Sequence, residues 1–574
     1  MNIYKIYLAK IQNVLIKNKS LINISSKKDL NYIIVESPPE KFNFDFSSNV
    51  AMVLAKIVKE NPRNLAEKIK KILIKNIKDF NTVEIAGPGF LNFNLTNDAW
   101  ISNIENIFKS KGKYGSNSNN KKFNIEFVSA NPTGPMHVGH CRGAIFGDVL
   151  SNLLKFNGNK VIKEFYVNDY GNQIIDFTKS VYFRMRQIKY NEAFPNDKNL
   201  YPGKYIIDIA QTILKKNSKI NLSNFDKIYK KLKKDSLIYS MNLIKSDLNQ
   251  LGIKHDYFFS ETKLIENNLV EKTINKLKKN KLVEYNFLEP PKGEEITEWK
   301  NTKKLIFKSK LFGDDSDRAL KKNDGSWTYF ANDIAYHSTK VSKKYDFLIN
   351  ILGADHTGYI KRIKAAVNAL SKNKVQLICK VCQLVKLYKN GNPFKMSKRL
   401  GEFISVNDLL KEVNKDSIRF MMLNRGNDVE LEFDFDKVLE KSKENPVFYV
   451  QYSYARINSL FNTAKINLKK KIILNSNEFE LNIFEHRLLR KIVEWPRVVD
   501  IASTKYEPHR IPFYLYELVT IFHSYWSKGN EDPKFKFIIN GKINNKVSFK
   551  IFQLLTIVLE NAMYILGVSL PKKM

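Results

Sequence analysis

Residues 123–156 read FNIEFVSANPTGPMHVGHCRGAIFGDVLSNLLKF, and this stretch decides the fold. Phe123–Ser129 is a short apolar run with period-2 character, the pattern of a buried strand. Asn131-Pro132-Thr133-Gly134-Pro135 extends neither strand nor helix, because proline lacks an N–H and glycine favours a turn. Beyond Gly139 a helix is expected: Ile145/Val149/Leu153 and Phe146/Leu150/Leu154 stack at i, i+4, and Gly158 stands where a C-cap would be. The predicted unit is strand, tight turn, helix, with His137 and His140 on the first helical turn. A helix start carries unsatisfied N–H groups and a positive dipole end, so it favours phosphate oxygens. Neutral imidazoles there donate hydrogen bonds to phosphate, and Gly139 leaves room for a flat group against the backbone. These features describe a nucleotide site, with adenine near the glycine and triphosphate over the histidines.

A second basic stretch is Lys395-Met396-Ser397-Lys398-Arg399. It follows a strand-like run, 375–388, and a Gly391-Asn392-Pro393 turn, and it precedes a helix opened by the capping-box pattern Ser405-x-x-Asp408. A loop with two lysines can close on a triphosphate and offset charge as the α-phosphate is attacked.

At 574 residues the chain is too long for one core, and three or four domains are expected. Its 95 Lys+Arg against 58 Asp+Glu give a net charge of +37, which suits a polyanionic partner. Lysine, asparagine and isoleucine are abundant throughout, so part of that charge is compositional. Three cysteines exclude a disulfide scaffold and fit a reducing cytoplasm. Cys379 and Cys382 form a CxxC inside a strand-like run, without a second pair or a nearby histidine, so no resident metal site is expected. The N-terminal segment is interrupted by lysine too often for a signal peptide. Residues 551–570 are long enough to span a membrane, but Gln553, Glu560, Asn561 and Ser569 favour a buried core helix.

The chain is expected to divide at two places. Residues 1–115 read as a small α+β domain: a helix, a helical stretch over 51–76, and a hairpin in TVEIAGPGFLNFNL (82–95). GKYGSNSNNKK (112–122) is the best linker candidate. Residues 116–430 alternate strand and helix, the pattern of a parallel sheet covered by helices, with a lysine-rich helical insertion near 178–250. From Val406 the pattern is helical, and 431–574 is expected to be an all-α domain.

HVGH and KMSKR resemble the two signature motifs of class I aminoacyl-tRNA synthetases. The surrounding text is more particular: SANPTGPMHVGHCRGAIFGD, YVNDYGNQI, DGSWTYFANDIAYH, LGADHTGYIKRIKAA and NPVFYVQYSYARI resemble bacterial arginyl-tRNA synthetases, and the likeness covers nearly the whole chain. The resemblance implies a Rossmann-like catalytic domain, an appended N-terminal domain that touches tRNA, and an all-α anticodon-binding domain. It implies that L-arginine, ATP with Mg2+ and tRNA(Arg) are the substrates, and that the enzyme is a cytoplasmic monomer. Asp333 and Tyr329 would hold the guanidinium, Glu126 and Asn131 would line the pocket, and Asn131 and His137 would position the α-amino and carboxylate ends. Gly353, Asp355 and His356 would lie near ribose and adenine. His137, Gly139, His140, Lys395, Met396, Ser397 and Lys398 would surround the ATP, with His137, His140, Lys395 and Lys398 catalytic. Tyr449, Tyr452 and Tyr454 would be placed to stack on anticodon-loop bases. Arg399-Leu400 departs mildly from the family's usual residues after the lysine loop. A glutamyl or cysteinyl enzyme of the superfamily, or a silent tRNA-binding paralogue, would lack Asp333, require zinc ligands, or have lost motif residues.

Overall fold

The computed structural model describes residues 2–39, 42–288, 302–394 and 404–574. They form two compact units, one of residues 118–440 with 507–509, the other of 1–117 with 441–506 and 510–574.

The first unit is built on a five-stranded parallel sheet. Its strands are β1 (Lys122–Glu126), β2 (Lys160–Val167), β3 (Tyr257–Ser260), β4 (Phe347–Gly353) and β5 (Gln376–Cys382), in the spatial order β5-β4-β1-β2-β3. Chain order therefore runs outward from β1 in one direction and then from β4 in the other. The reversal point lies between β1 and β4, where carboxyl ends of adjacent strands splay and leave a crevice. Helix α1 (Val138–Phe156) returns the chain from β1 to β2 and ends as its sequence predicts: Asn157 caps it and Gly158 follows at φ +84°. Gly147 lets α1 lie directly on the chain leaving β1, since a Cβ there would stand 2.3 Å from the Phe127 ring.

The insertion consists of three helices, α2 (Asn172–Tyr190), α3 (Lys204–Lys216) and α4 (Phe225–Gln250), around a core that includes Phe177, Met185, Ile209 and Leu232. After β3 the alternation breaks. Val283–Asn286, Lys304–Phe307 and Arg318–Ala319 pair antiparallel in a separate sheet. Helices α5 (Tyr329–Ser342) and α6 (Ile360–Ser371) then flank β4 in sequence. The single strand-like run expected over 375–388 is two strands: β5, and Val385–Lys389 in another small sheet. That second strand pairs in parallel with Leu431–Asp434, which therefore belongs to the first unit and moves its end from the expected 430 to Glu440.

In the second unit the helical stretch expected over 51–76 is broken in two, Val50–Val58 and Pro62–Asn76, because Lys59 turns left-handed (φ +54°) and Pro62 can only open a helix. Phe80–Ala86 and Phe90–Leu95 form the expected hairpin within a four-stranded antiparallel sheet. The N-terminal block is tied to the C-terminal helices by polar contacts. Trp495 Nε1 donates to Tyr114 O (2.9 Å), Asn561 Nδ2 donates to Lys111 O (3.0 Å), and His486 Nε2 lies 2.6 Å from Asp45 Oδ1. Burial of these partners explains why 1–117 and the C-terminal helices make one unit. The C-terminal part is helical apart from a hairpin of two-residue strands, Ile538–Ile539 with Lys542–Ile543. Its apolar helix, Lys546–Leu566, is almost entirely buried, as a core helix is.

Candidate active site

His137 is the N-cap of α1 and His140 its third residue, and the two imidazoles close a reciprocal cap. Gly139 N donates to His137 Nδ1 (3.1 Å), and His137 N donates to His140 Nδ1 (3.3 Å). Each Nδ1 is therefore an acceptor, which leaves the proton of a neutral ring on Nε2. Burial keeps both rings neutral: His140 is pushed down to about 4 by burial and by His137, and His137 is lowered by burial. The rings lie 3.8 Å apart between centroids. A Cβ at Gly139 would stand 2.8 Å from the His137 ring. The room that this glycine provides is thus partly filled by the capping imidazole.

Lys395, Met396, Ser397 and Lys398 lie outside the described residues. The segments on either side are placed against α1. Val138 N donates to Ile404 O (2.9 Å), and Val406 N donates to Met136 O (3.1 Å). Ser405 and Asp408 form the predicted capping box. A cavity of about 560 Å³ opens here, lined by His137, Gly139, Leu387, Tyr388, Phe394 and Ile404 among others. Arg142 ties α1 to the chain that leads into the cavity-lining strand Val385–Lys389: the buried guanidinium donates to Gln383 O (3.0 Å), Gly426 O (2.7 Å) and Val429 O (2.6 Å).

The second half of the site is acidic. Asp333, one turn into α5, is pushed up to about 7 by burial, with Glu126 and Glu261 raising it further. Tyr359 donates its hydroxyl to Asp333 Oδ2. Glu126, at the end of β1, pairs with Lys340 (2.5 Å) and accepts from Ser129 Oγ (3.3 Å). Glu261, just past β3, is buried, raised by that burial, and accepts from Asn332 Nδ2 (3.1 Å). Tyr166, near the end of β2, feels Glu261, Asp333 and Glu126 together. Several carboxylates gathered where strand ends meet make a cation pocket, and a planar donor such as guanidinium can satisfy two oxygens at once.

Other expected residues are placed differently. Asn131 lies at the mouth, donating to Gln173 Oε1 (3.0 Å) and accepting from Asn168 Nδ2 (3.2 Å). Tyr329 shares the Asp333 face of α5 at i, i+4 but is 74% exposed, its ring beside Lys322. Gly353 ends β4, and a Cβ there would meet Asp355 Oδ1 at 2.7 Å. Asp355 and His356 are exposed and lie 3.6 Å apart. Sequence reasoning did not single out Tyr359, Glu261, Tyr166 or Lys340. Tyr166 and Tyr359 stand inside the quoted motifs, Glu261 lies in the region read only as alternating strand and helix, and Lys340 lies two turns along the helix from Asp333.

In the helical C-terminal part Tyr454 is buried, its hydroxyl on Glu560 Oε1 (2.7 Å). Tyr449 and Tyr452 are half-buried. Tyr449 stacks on His523 (4.1 Å), and Arg456 lies over the Tyr452 ring (4.2 Å).

Comparison with known proteins agrees along the whole length. The model of the arginyl tRNA synthetase N terminal domain matches residues 7–95, that of the class I (R) catalytic domain 103–462, and that of the DALR anticodon binding domain 450–574. The arginine–tRNA ligase of Pelagibacter ubique is 50% identical with full coverage of both chains, and that of Bartonella bacilliformis 42% identical, also with full coverage. Among solved structures, a putative arginyl-tRNA synthetase of Campylobacter jejuni is 31% identical, covers 84% of this chain and 100% of its own, and superposes with a TM-score of 0.72. The Thermus thermophilus arginyl-tRNA synthetase, 17% identical with full coverage of both chains, shares the fold at a TM-score of 0.71. With a neutral histidine pair at a helix start, an acidic pocket beside it and these full-length relatives, the chain belongs to the arginyl-tRNA synthetase family.

Proposed function

We propose that the crevice between β1 and β4 carries out the family's arginine–tRNA ligation in two steps. The arginine carboxylate attacks the α-phosphorus of ATP in line, the bond to pyrophosphate breaks, and arginyl-adenylate forms. The 2′-hydroxyl of the terminal tRNA adenosine then attacks the activated carbonyl, and AMP leaves. No covalent enzyme intermediate is required; positioning and electrostatics supply the rate.

The observation that carries this reading is the carboxylate pocket around Asp333, set at the strand ends beside the His137–His140 cap. Asp333 takes the guanidinium, with Glu126 and Asn131 lining the pocket and Asn131 and His137 at the α-amino and carboxylate ends. Tyr329 stands at the entrance and reaches the substrate by a rotamer change. The Nε2–H groups of His137 and His140 donate to phosphate, and Lys395 and Lys398, with Met396 and Ser397, offset its charge. Gly139, Gly353, Asp355 and His356 border the nucleoside. ATP enters as its Mg2+ complex, the ion being part of the substrate; among the described residues no group of three His, Cys, Asp or Glu side chains is gathered for a metal. Half-buried Tyr449 and Tyr452 offer faces to unpaired bases of tRNA(Arg), whereas Tyr454 serves the core. The enzyme works as a cytoplasmic monomer.

ATP–pyrophosphate exchange with each of the twenty amino acids, with and without tRNA, tests the reading. Exchange with arginine alone, dependent on tRNA, is expected. Exchange with another amino acid would remove the Asp333 assignment.

A further inference from the structure

The carboxylates of the pocket are accompanied by a lysine that no motif announces. Lys340 is fully buried, a costly place for an ammonium unless it is paired. Its Nζ lies 2.5 Å from Glu126 Oε2 and 4.4 Å from the centre of the Tyr336 ring. The other Glu126 oxygen accepts from Ser129 Oγ (3.3 Å), and the same hydroxyl accepts from Tyr166 N (3.1 Å). Ser129 reaches back because the chain leaving β1 turns left-handed at Val128 (φ +69°) and Ser129 (φ +42°). A β-branched residue adopts such a φ only where the surroundings impose it. The backbone is thus bent so that both oxygens of one carboxylate are held.

The neighbouring acid is satisfied without Lys340. Glu164 accepts from Asn124 Nδ2 (2.6 Å) and Tyr336 Oη (2.8 Å). The lysine is therefore committed to Glu126, at the carboxyl end of the first strand and beside the crevice.

We propose that Lys340 is a positioning residue for arginine recognition: it fixes the Glu126 carboxylate toward the pocket and offsets one negative charge there. This inference rests on the reading of the pocket as the arginine site. Around it stand Asp333 and His337 on α5, Glu126 on β1, Glu164 and Tyr166 on β2, Glu261 past β3, Tyr359 and Arg362 beyond β4, and Cys379 on β5. His337 is pushed down to about 3, first of all by burial, which persists when the lysine is removed, so it does not replace the missing charge. Without the lysine, Glu126 loses its partner and the three pocket carboxylates repel one another more strongly. Asp333, which Lys340 helps to hold down, then retains its proton to higher pH, and arginine must displace it.

The test uses the full-length enzyme with tRNA and ATP. Lys340→Met is expected to raise KM for arginine at least tenfold at neutral pH, leave KM for ATP unchanged, and move the rise of kcat/KM for arginine to higher pH. Lys340→Arg should restore most of the loss. On a Glu126→Gln background the same substitution should add less than threefold, because the partner charge is already gone. Equal rises in both KM values, or additive effects in that cycle, would overturn the proposal. If Lys340→Met alone does not fold, Glu126→Gln is compared with the double variant: matching KM values support the role and a further tenfold rise refutes it. Asp333→Asn separates the two readings. If it leaves KM for arginine unchanged, the pocket itself is misassigned. If it raises KM while Lys340→Met does not, only the role of the lysine fails.

Discussion

His140 divides its two ring nitrogens between structure and chemistry. Nδ1 completes the cap of α1, which leaves the proton on Nε2, the nitrogen proposed to donate to phosphate. His140→Asn keeps an acceptor in the place of Nδ1 and removes the Nε2 donor. It should retain most of the stability and tRNA affinity, yet lower the rate of adenylate formation by roughly 10²–10³, the usual effect of losing one transition-state donor. Single-turnover measurement of adenylate, alongside a tRNA binding assay, checks this; a large loss of tRNA affinity would contradict it. Asp333 yields a pH prediction. Burial pushes its carboxyl up to about 7, whereas a guanidinium stays charged throughout that range. Below pH 7 the pocket therefore holds a proton that arginine must expel. Hence kcat/KM for arginine should climb as pH rises through about 7 and level off above it, with a proton released on binding. Asp333→Asn should flatten that limb and weaken arginine binding, as calorimetry in two buffers of different ionisation enthalpy would record.

At the scale of the element, α1 is held on two sides. Its inner face rests on Phe127 through Gly147, so Gly147→Ala forces helix and strand apart and should cost roughly 1–3 kcal/mol, read as a lowered Tm. Its outer face is tied by Arg142 to three backbone carbonyls, of Gln383, Gly426 and Val429. Arg142→Met leaves those carbonyls unpaired and should cost about 3 kcal/mol. It should also raise KM for ATP more than KM for arginine, because Gln383, which it holds, leads into the strand that lines the cavity with His137 and Gly139. Steady-state kinetics with each substrate varied in turn would show the split. Both elements of this unit were readable in the primary structure: period-2 apolarity ends at the prolines, and i, i+4 stacking begins after Gly139. Arg142 was not, because its three partners lie more than 240 residues away in sequence.

For the whole molecule the net charge of +37 matters most for tRNA. Phosphate contacts release counterions, so raising salt from about 50 to about 200 mM should weaken tRNA binding by on the order of 10³ if about six contacts form. KM for arginine, set in a partly buried pocket, should change far less. Filter binding and exchange kinetics across the same salt series compare the two; parallel weakening would mean that the arginine pocket is as screened as the surface.

The sequence by itself determined the strand–turn–helix, the alternation behind a parallel sheet and the family, and it named Glu126, Asp333, His137 and His140, which now stand at a strand end and at helix starts. Each of these is written in local spacing: turn residues fix where a strand stops, and helical periodicity fixes which face is apolar. It misjudged the break at Pro62, the pairing of Leu431–Asp434 with Val385–Lys389, and the joining of the N-terminal block to the C-terminal helices. Only the tertiary structure decided these, because they depend on which distant partner a strand edge or buried donor finds. The same holds for the pocket. Asp333 was legible within its motif, but its upward shift, its bond from Tyr359 and the Lys340–Glu126 pair arise only when α5 and the ends of β1 and β3 bring charges from across the chain into one low-dielectric place.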